Sequence, residues 1–128
     1  MSDPTRLRYL RIALVVFGVI FTFGIYPLGI VWPSGWTWGR EHSHYLTMII
    51  GVYATLGVFL MLAAKDPVRH TSLIWFTVWS SIVHAGIMAG QSLMDTKEAG
   101  HLLGDVPALV LVAIVLAVLT PRSSSAAV

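Results

Sequence analysis

The sequence predicts an all-α protein, a bundle of four transmembrane helices running up-down-up-down. Three observations carry that prediction. Apolar residues make up 56% of the 128-residue chain and charged residues only 11%, a balance that suits lipid rather than water as the solvent. The apolar residues gather into four runs, each long enough to cross a hydrocarbon layer of ~30 Å as a helix rising about 1.5 Å per residue. Proline, glycine and clustered charges punctuate the chain between the runs. The spans are expected near residues 5–27, 43–64, 71–94 and 102–120, and residues 1–128 read as one membrane domain. Connections this short make antiparallel neighbours of consecutive helices.

The first span follows a short polar tail, Ser2-Asp3-Pro4, with Thr5 placed to cap the helix. Arg6, Arg8 and Arg11 before an apolar run imitate a signal peptide. That run continues through Phe17, Ile20, Phe23, Ile25 and Ile30 without a small-residue cleavage pattern, which makes it a retained span. Pro27 and Gly29 are expected to end this helix or loosen its last turn. Thr22 needs no partner beyond its own helix's carbonyls. The stretch LGIVWPSGWTWGREHSH, residues 28–44, then places Trp32, Trp36 and Trp38 beside the span end, where an aromatic belt at the headgroup layer satisfies ring and N–H together.

The second span, from about Tyr45 to Ala64, carries Gly51, Ala54 and Gly57 as a small-residue surface for close helix approach. Lys65 to His70 form a tight basic turn in which Pro67 stops the helix and His70 is solvated. The third span, Thr71 to Met94, sets Thr77, Ser81, His84, Met88, Gln91 and Asp95 on one face by steps of four and three. Its other faces present residues such as Ile74, Phe76, Val78, Trp79 and Ile87, so the polar stripe is expected to turn toward sister helices. Asp95 to Gly100 is a polar connection. In the fourth span Asp105 serves as N-cap and Pro107 occupies the first turn, before Pro121-Arg122 ends the helix.

Six of the eight Lys and Arg residues (Arg6, Arg8, Arg11, Lys65, Arg69 and Arg122) fall on one side of this topology, with only Arg40 and Lys97 on the other. The positive-inside rule then puts both termini in the cytoplasm, in a multi-pass protein of the cytoplasmic (inner) membrane. Glu41, His42 and His44, with Gln91, Asp95, His101 and Asp105, converge on the outward side, and His84 lies roughly two turns of about 5.4 Å deeper than Gln91. An outward-facing polar pocket with His84 at its floor is the expected site.

A net charge of +2 gives no case for nucleic acid, and the absence of cysteine excludes disulfides, thiolate metal sites and iron–sulfur ligation. Imidazoles and carboxylates together suit zinc, copper or iron, so His44, His101 and Glu41 are the candidate metal ligands, without any H-E-x-x-H pattern to organise them. Haem would need a second deep histidine, which the chain lacks. Proton-coupled export asks for ionisable residues deep in several spans, and His84 alone supplies one. A lipid-like or quinone-like ligand entering sideways and held by His84, Gln91, Tyr53 and Asp105 needs fewer polar groups. The lack of any recognised catalytic motif favours a non-enzymatic membrane component that binds a hydrophobic small molecule or a partner membrane subunit. The alternative is the membrane subunit of a metal- or quinone-dependent oxidoreductase. No cofactor is fixed by the residues, no catalytic residue is assigned, and a homo-oligomer remains open.

The stretches GVYATLGVFLMLAAKDP at Gly51–Pro67, SLIWFTVWSSIVHAGIMA at Ser72–Ala89 and GHLLGDVPAL at Gly100–Leu109 carry a resemblance. From Tyr9 to Pro121 the chain resembles a group of small bacterial four-helix membrane proteins without established activity, loosely similar to the DoxX-like families. The resemblance implies the four-span topology. Through DoxX-like relatives associated with quinone-linked sulfur oxidation, it also implies a redox-accessory role, with no catalytic residue to carry across.

Reporter fusions test the orientation: a reporter active only outside the cytoplasm is expected to be silent at residues 66–69 and active at 96–100. The opposite pattern would invert the bundle.

Overall fold

A computed structural model describes residues 3–37 and 44–122, and every element among them is helical. The first span is α1 (Asp3–Val19), a π-helical turn (Ile20–Gly24) and α2 (Ile25–Val31), continuous over 29 residues. A single turn, α3 (Pro33–Trp36), follows. The remaining spans are α4 (His44–Ala63), α5 (Thr71–Met94) led in by a 3₁₀ turn (Pro67–His70), and α6 (Asp105–Leu119) led in by a 3₁₀ segment (Thr96–Leu102). All four are long and apolar enough to cross a membrane, and together they form a helical bundle.

Local chemistry explains where the first span departs from the sequence expectation. The helix already includes Asp3, so Thr5 lies inside it rather than capping it. Pro27 does not end it either. Lacking an N–H, Pro27 leaves the carbonyl of Phe23 without its usual donor four residues on. That carbonyl lies within the π turn, a local departure from α-helical pairing, and the helix runs on through Pro27 to Val31.

The helices pair unevenly. α1 packs closely on α4 and α5 on α6, and α1 also meets α6, whereas α4 and α5 touch little although a tight turn joins them. The α1–α4 pair crosses at Gly18 and Gly57. A Cβ added at Gly18 would come within 2.7 Å of the Gly57 carbonyl oxygen, and one added at Gly57 within 2.5 Å of the Gly18 oxygen. Backbones this close admit only hydrogen at both positions. Thr22, in the π turn, donates its hydroxyl across the same interface to the Ala54 carbonyl at 3.2 Å, instead of bonding back to its own helix. Gly51, expected on this surface, points to open space with nothing within 4 Å of a Cβ placed there.

On α5 the buried seam is Ile74, Thr77, Val78, Ser81, Ala85, Met88 and Ser92. Ile74 and Val78, expected on the lipid side, are therefore core. His84 stands on the flank of the seam that faces α4, and Gln91, near the same flank about two turns further along, is exposed. Leu10, Leu14, Leu60, Ile74 and Leu116 are fully buried and form a dense core toward the end of the bundle that carries the termini. At that end the Arg6 guanidinium donates to the Val118 carbonyl through Nη2 at 3.0 Å, satisfying a carbonyl in the last turn of α6. Large apolar side chains stand exposed on the outer faces of the spans, among them Phe23, Val52, Phe59, Phe76, Trp79 and Ile114, as helices in contact with lipid require.

Substituting Gly18→Leu or Gly57→Leu is expected to destabilise the bundle by about 1–3 kcal/mol through overpacking. Gly51→Leu should stay within about 0.5 kcal/mol of the parent chain. Reversible unfolding in mixed micelles measures both.

Candidate functional site

Toward the Trp-rich end the four spans separate around a cavity of about 290 Å³. Phe17, Ile20 and Phe21 line it from the first span, Leu46, Ile49, Ile50 and Tyr53 from α4, His84 and Met88 from α5, and Ala108, Leu109, Leu111 and Val112 from α6. Asp105 at the start of α6, Ile25 and Leu28 of α2, and Trp36 of α3 complete the wall. The π turn matters here because it carries Phe21, whose ring meets Tyr53 edge to face with centroids 5.2 Å apart.

Two polar groupings reach this cavity. The first joins α4 to α5, where the Tyr53 hydroxyl is hydrogen-bonded to His84 Nδ1. In the neutral ring with its hydrogen on Nε2, the phenol donates to Nδ1. The rings lie tilted at 35° with centroids 5.6 Å apart. A phenol and an imidazole that satisfy each other need no charge inside the spans.

The second grouping centres on His101, which is fully buried. Its Nδ1 lies 3.0 Å from both carboxylate oxygens of Asp105, and its Nε2 lies 3.0 Å from Glu98 Oε2 and 3.1 Å from the Thr37 carbonyl. All of these are acceptors, so hydrogen on both ring nitrogens satisfies the set together. The i, i+4 spacing of His101 and Asp105 brings the side chains together although no single helix joins them. The 3₁₀ segment ends at Leu102 and α6 begins at Asp105, with Gly104 between them at the N-cap. Gly104, not Asp105, stands at the N-cap of α6, and Asp105 turns its carboxylate to His101. Gly104 has its own reason to lack a side chain, since a Cβ there would come within 2.8 Å of the Gly35 carbonyl carbon in α3. A Cβ at Gly100 would meet the Ser34 carbonyl oxygen at 2.5 Å. α3 thus lies directly on the 3₁₀ segment, and His101 ties it there through Thr37.

The structure brings His84, Tyr53 and Asp105 to one cavity and leaves Gln91 outside it, exposed on α5. His44 is exposed at the start of α4, and Glu41, like His42, Arg40 and Trp38, lies outside the described residues. Both ring nitrogens of His101 face protein acceptors, and among the described residues no group of three or more His, Asp or Glu side chains is placed to hold a metal ion. Sequence reasoning missed Glu98 as a partner of His101, and it missed Trp36 as part of the cavity wall. The i+3 spacing from Glu98 to His101 was the available signal for the first. Nothing in the sequence separates Trp36 from its neighbouring tryptophans.

A protein-family model matches residues 4–127, nearly the whole chain. The chain belongs to DUF6632, a family of unknown function. The expected kinship with proteins of unassigned activity holds at that level, and the match carries no link to the DoxX-like families. Neither the curated proteins nor the solved structures contain a match to the chain. The site in this DUF6632 chain is therefore read from its own geometry.

Replacing His101 with Leu removes the imidazole that two carboxylates face and is expected to cost about 3–5 kcal/mol. The double variant His101→Leu/Asp105→Leu should recover part of that loss, because replacing a buried pair by apolar residues is often close to neutral. Unfolding free energies of the three chains in micelles check the order.

Proposed function

We propose that the chain is a non-enzymatic membrane component that binds a hydrophobic small molecule, lipid-like or quinone-like, in the cavity toward the Trp-rich end. The observation that carries this reading is the cavity itself, walled by apolar side chains from all four spans with few polar groups among them. The sparse contact between α4 and α5 supports sideways entry from the bilayer, since little packing has to be displaced there. By the distribution of basic residues this end faces away from the cytoplasm, in a cytoplasmic (inner) membrane.

In this reading Tyr53 and His84 present one hydrogen-bonded couple to the ligand, and Asp105 bounds the cavity near the α3 cap. A second reading, the membrane subunit of a quinone-dependent oxidoreductase, has the Tyr53–His84 couple in its favour, because a phenol–imidazole pair can hydrogen-bond a quinone carbonyl. The metal-dependent form of that reading has less support, with both His101 nitrogens already engaged by protein groups.

Organic extraction of protein purified in mild detergent, followed by mass spectrometry, is expected to release a stoichiometric apolar molecule. Substituting His84→Leu should lose that molecule while thermal stability falls little, since interhelical hydrogen bonds in membranes average only about 0.6 kcal/mol. Large destabilisation with the bound molecule retained would make His84 structural and overturn its place in the site. An optical spectrum that changes between oxidised and reduced preparations would favour the oxidoreductase reading.

A further inference from the structure

Tyr53 and His84 both line the cavity, and the bond between them leaves one ring nitrogen over. The Tyr53 hydroxyl reaches His84 Nδ1, whereas His84 Nε2 has no hydrogen-bond partner among the described residues. The ring is half-buried. Among the described residues, the buried side-chain nitrogens and oxygens without a partner are Trp36 Nε1 and Ser92 Oγ. His84 Nε2, also without one, is therefore not closed off by packing and keeps surface that a small molecule can touch.

What that nitrogen offers follows from its partner. With hydrogen on Nε2, the phenol donates to Nδ1 and a single group, the Nε2–H, is left over. With hydrogen on Nδ1, the ring donates to the phenol oxygen and two groups are left over. They are the Nε2 lone pair and the phenolic hydrogen, which has no other acceptor among the described residues. Each polar group left unmatched in an apolar setting costs free energy, so the first tautomer is the stable one. Tyr53 thus fixes His84 as a donor.

Resting on the ligand-binding reading above, we infer that His84 Nε2–H selects the ligand, donating to an oxygen of a neutral apolar molecule that bears a ketone, quinone or ester carbonyl. Tyr53 is its positioning residue, acting through the tautomer of the ring. A plain hydrocarbon leaves Nε2–H unmatched, and an ammonium group sets one donor against another. A carboxylate accepts, but it brings a further charge into an apolar cavity whose wall already includes Asp105. A neutral carbonyl answers the donor without charge, and an apolar body suits Ile49, Leu109 and Val112.

Two probes of one skeleton separate these chemistries: menadione, with two ring carbonyls, and 2-methylnaphthalene, with none. Equilibrium dialysis of the full chain in detergent, against protein-free micelles, is expected to show binding of both. His84→Phe keeps a flat ring and deletes the donor. It should weaken menadione roughly three- to tenfold, the loss of one neutral hydrogen bond, and leave 2-methylnaphthalene within about twofold. Labelling the five histidines with ¹⁵N reads the parent chain directly, whether or not a variant folds. The His84 ring, identified by its contacts with the Tyr53 ring, should carry hydrogen on Nε2 and none on Nδ1. Its Nε2–H should move downfield with menadione and not with 2-methylnaphthalene. In Tyr53→Phe the shifts of the two ring nitrogens should draw together, as the imidazole samples both tautomers.

Hydrogen on Nδ1 in the parent chain would make Nε2 an acceptor and overturn the inference. Equal weakening of both probes by His84→Phe, or menadione binding that the variant leaves unchanged, would reduce the ring to a part of the wall and overturn it equally. In each of these cases the cavity still holds its probes and the binding reading stands. If the parent chain bound neither probe, the binding reading would fall first and this inference with it.

Discussion

The meeting of Gly18 with Gly57 fixes the geometry on which the rest of the bundle depends. Lipid offers no hydrophobic force to drive two apolar helices together, so their association rests on close packing and on polar groups that cannot be matched elsewhere. Glycine on both sides lets the α1 and α4 backbones approach until a Cβ on either would collide with the other's carbonyl. One turn further along, Thr22 adds a hydrogen bond to the Ala54 carbonyl across the same seam. The π turn that holds Thr22 also carries Phe21, and the ring of Phe21 is the edge against which Tyr53 packs. The glycine contact and the cavity wall are thus joined through residues of one short stretch, Gly18 to Thr22.

Polar side chains inside the spans are arranged to avoid unmatched charge. Tyr53 with His84 makes a neutral pair that bridges α4 and α5, which touch little, and so supplies a link where packing is sparse. His101 with Asp105 and Glu98 makes a charged grouping, placed where the Glu98 side chain is 22% exposed and water can share the cost of desolvation. That grouping also reaches the Thr37 carbonyl, which keeps α3 seated on the bundle. Removing charge from deep in the membrane and concentrating it beneath the cap gives the cavity an apolar body and a polar rim.

Much of the architecture was legible in the sequence because membrane helices announce themselves by length and apolar run. The helices α4 (His44–Ala63) and α5 (Thr71–Met94) fall on apolar runs that the sequence marks. The end of the first span was not legible, because proline rules assume an α-helical register and the π turn changes that register before Pro27 is reached. The site was half legible. Helical periodicity identified His84, and Tyr53 and Asp105 do reach the same cavity. Periodicity also nominated Gln91, because steps of three and four are equally helical, and only packing decides that the buried seam advances from Met88 to Ser92 and leaves Gln91 exposed. The His101–Asp105 pairing depends on a change from 3₁₀ to α geometry at Gly104, which no residue pattern specifies.

Trp36 shows most clearly where composition stops being informative. Three tryptophans within seven residues satisfy the rule for an interfacial belt, and that rule treats them alike. The environments of Trp32 and Trp36 differ because α3 is a single turn held down by Gly35 on Gly104 and Ser34 on Gly100, contacts that only small residues permit. Trp32 is 41% exposed, while Trp36 is part of the cavity wall with its N–H covered. A side chain suited to the headgroup layer has thus been moved to a place where water does not serve its donor. Because Trp36 is part of the wall of the cavity of about 290 Å³, the turn that seats it also closes the Trp-rich end of that cavity, which makes the cap and the cavity parts of one structure.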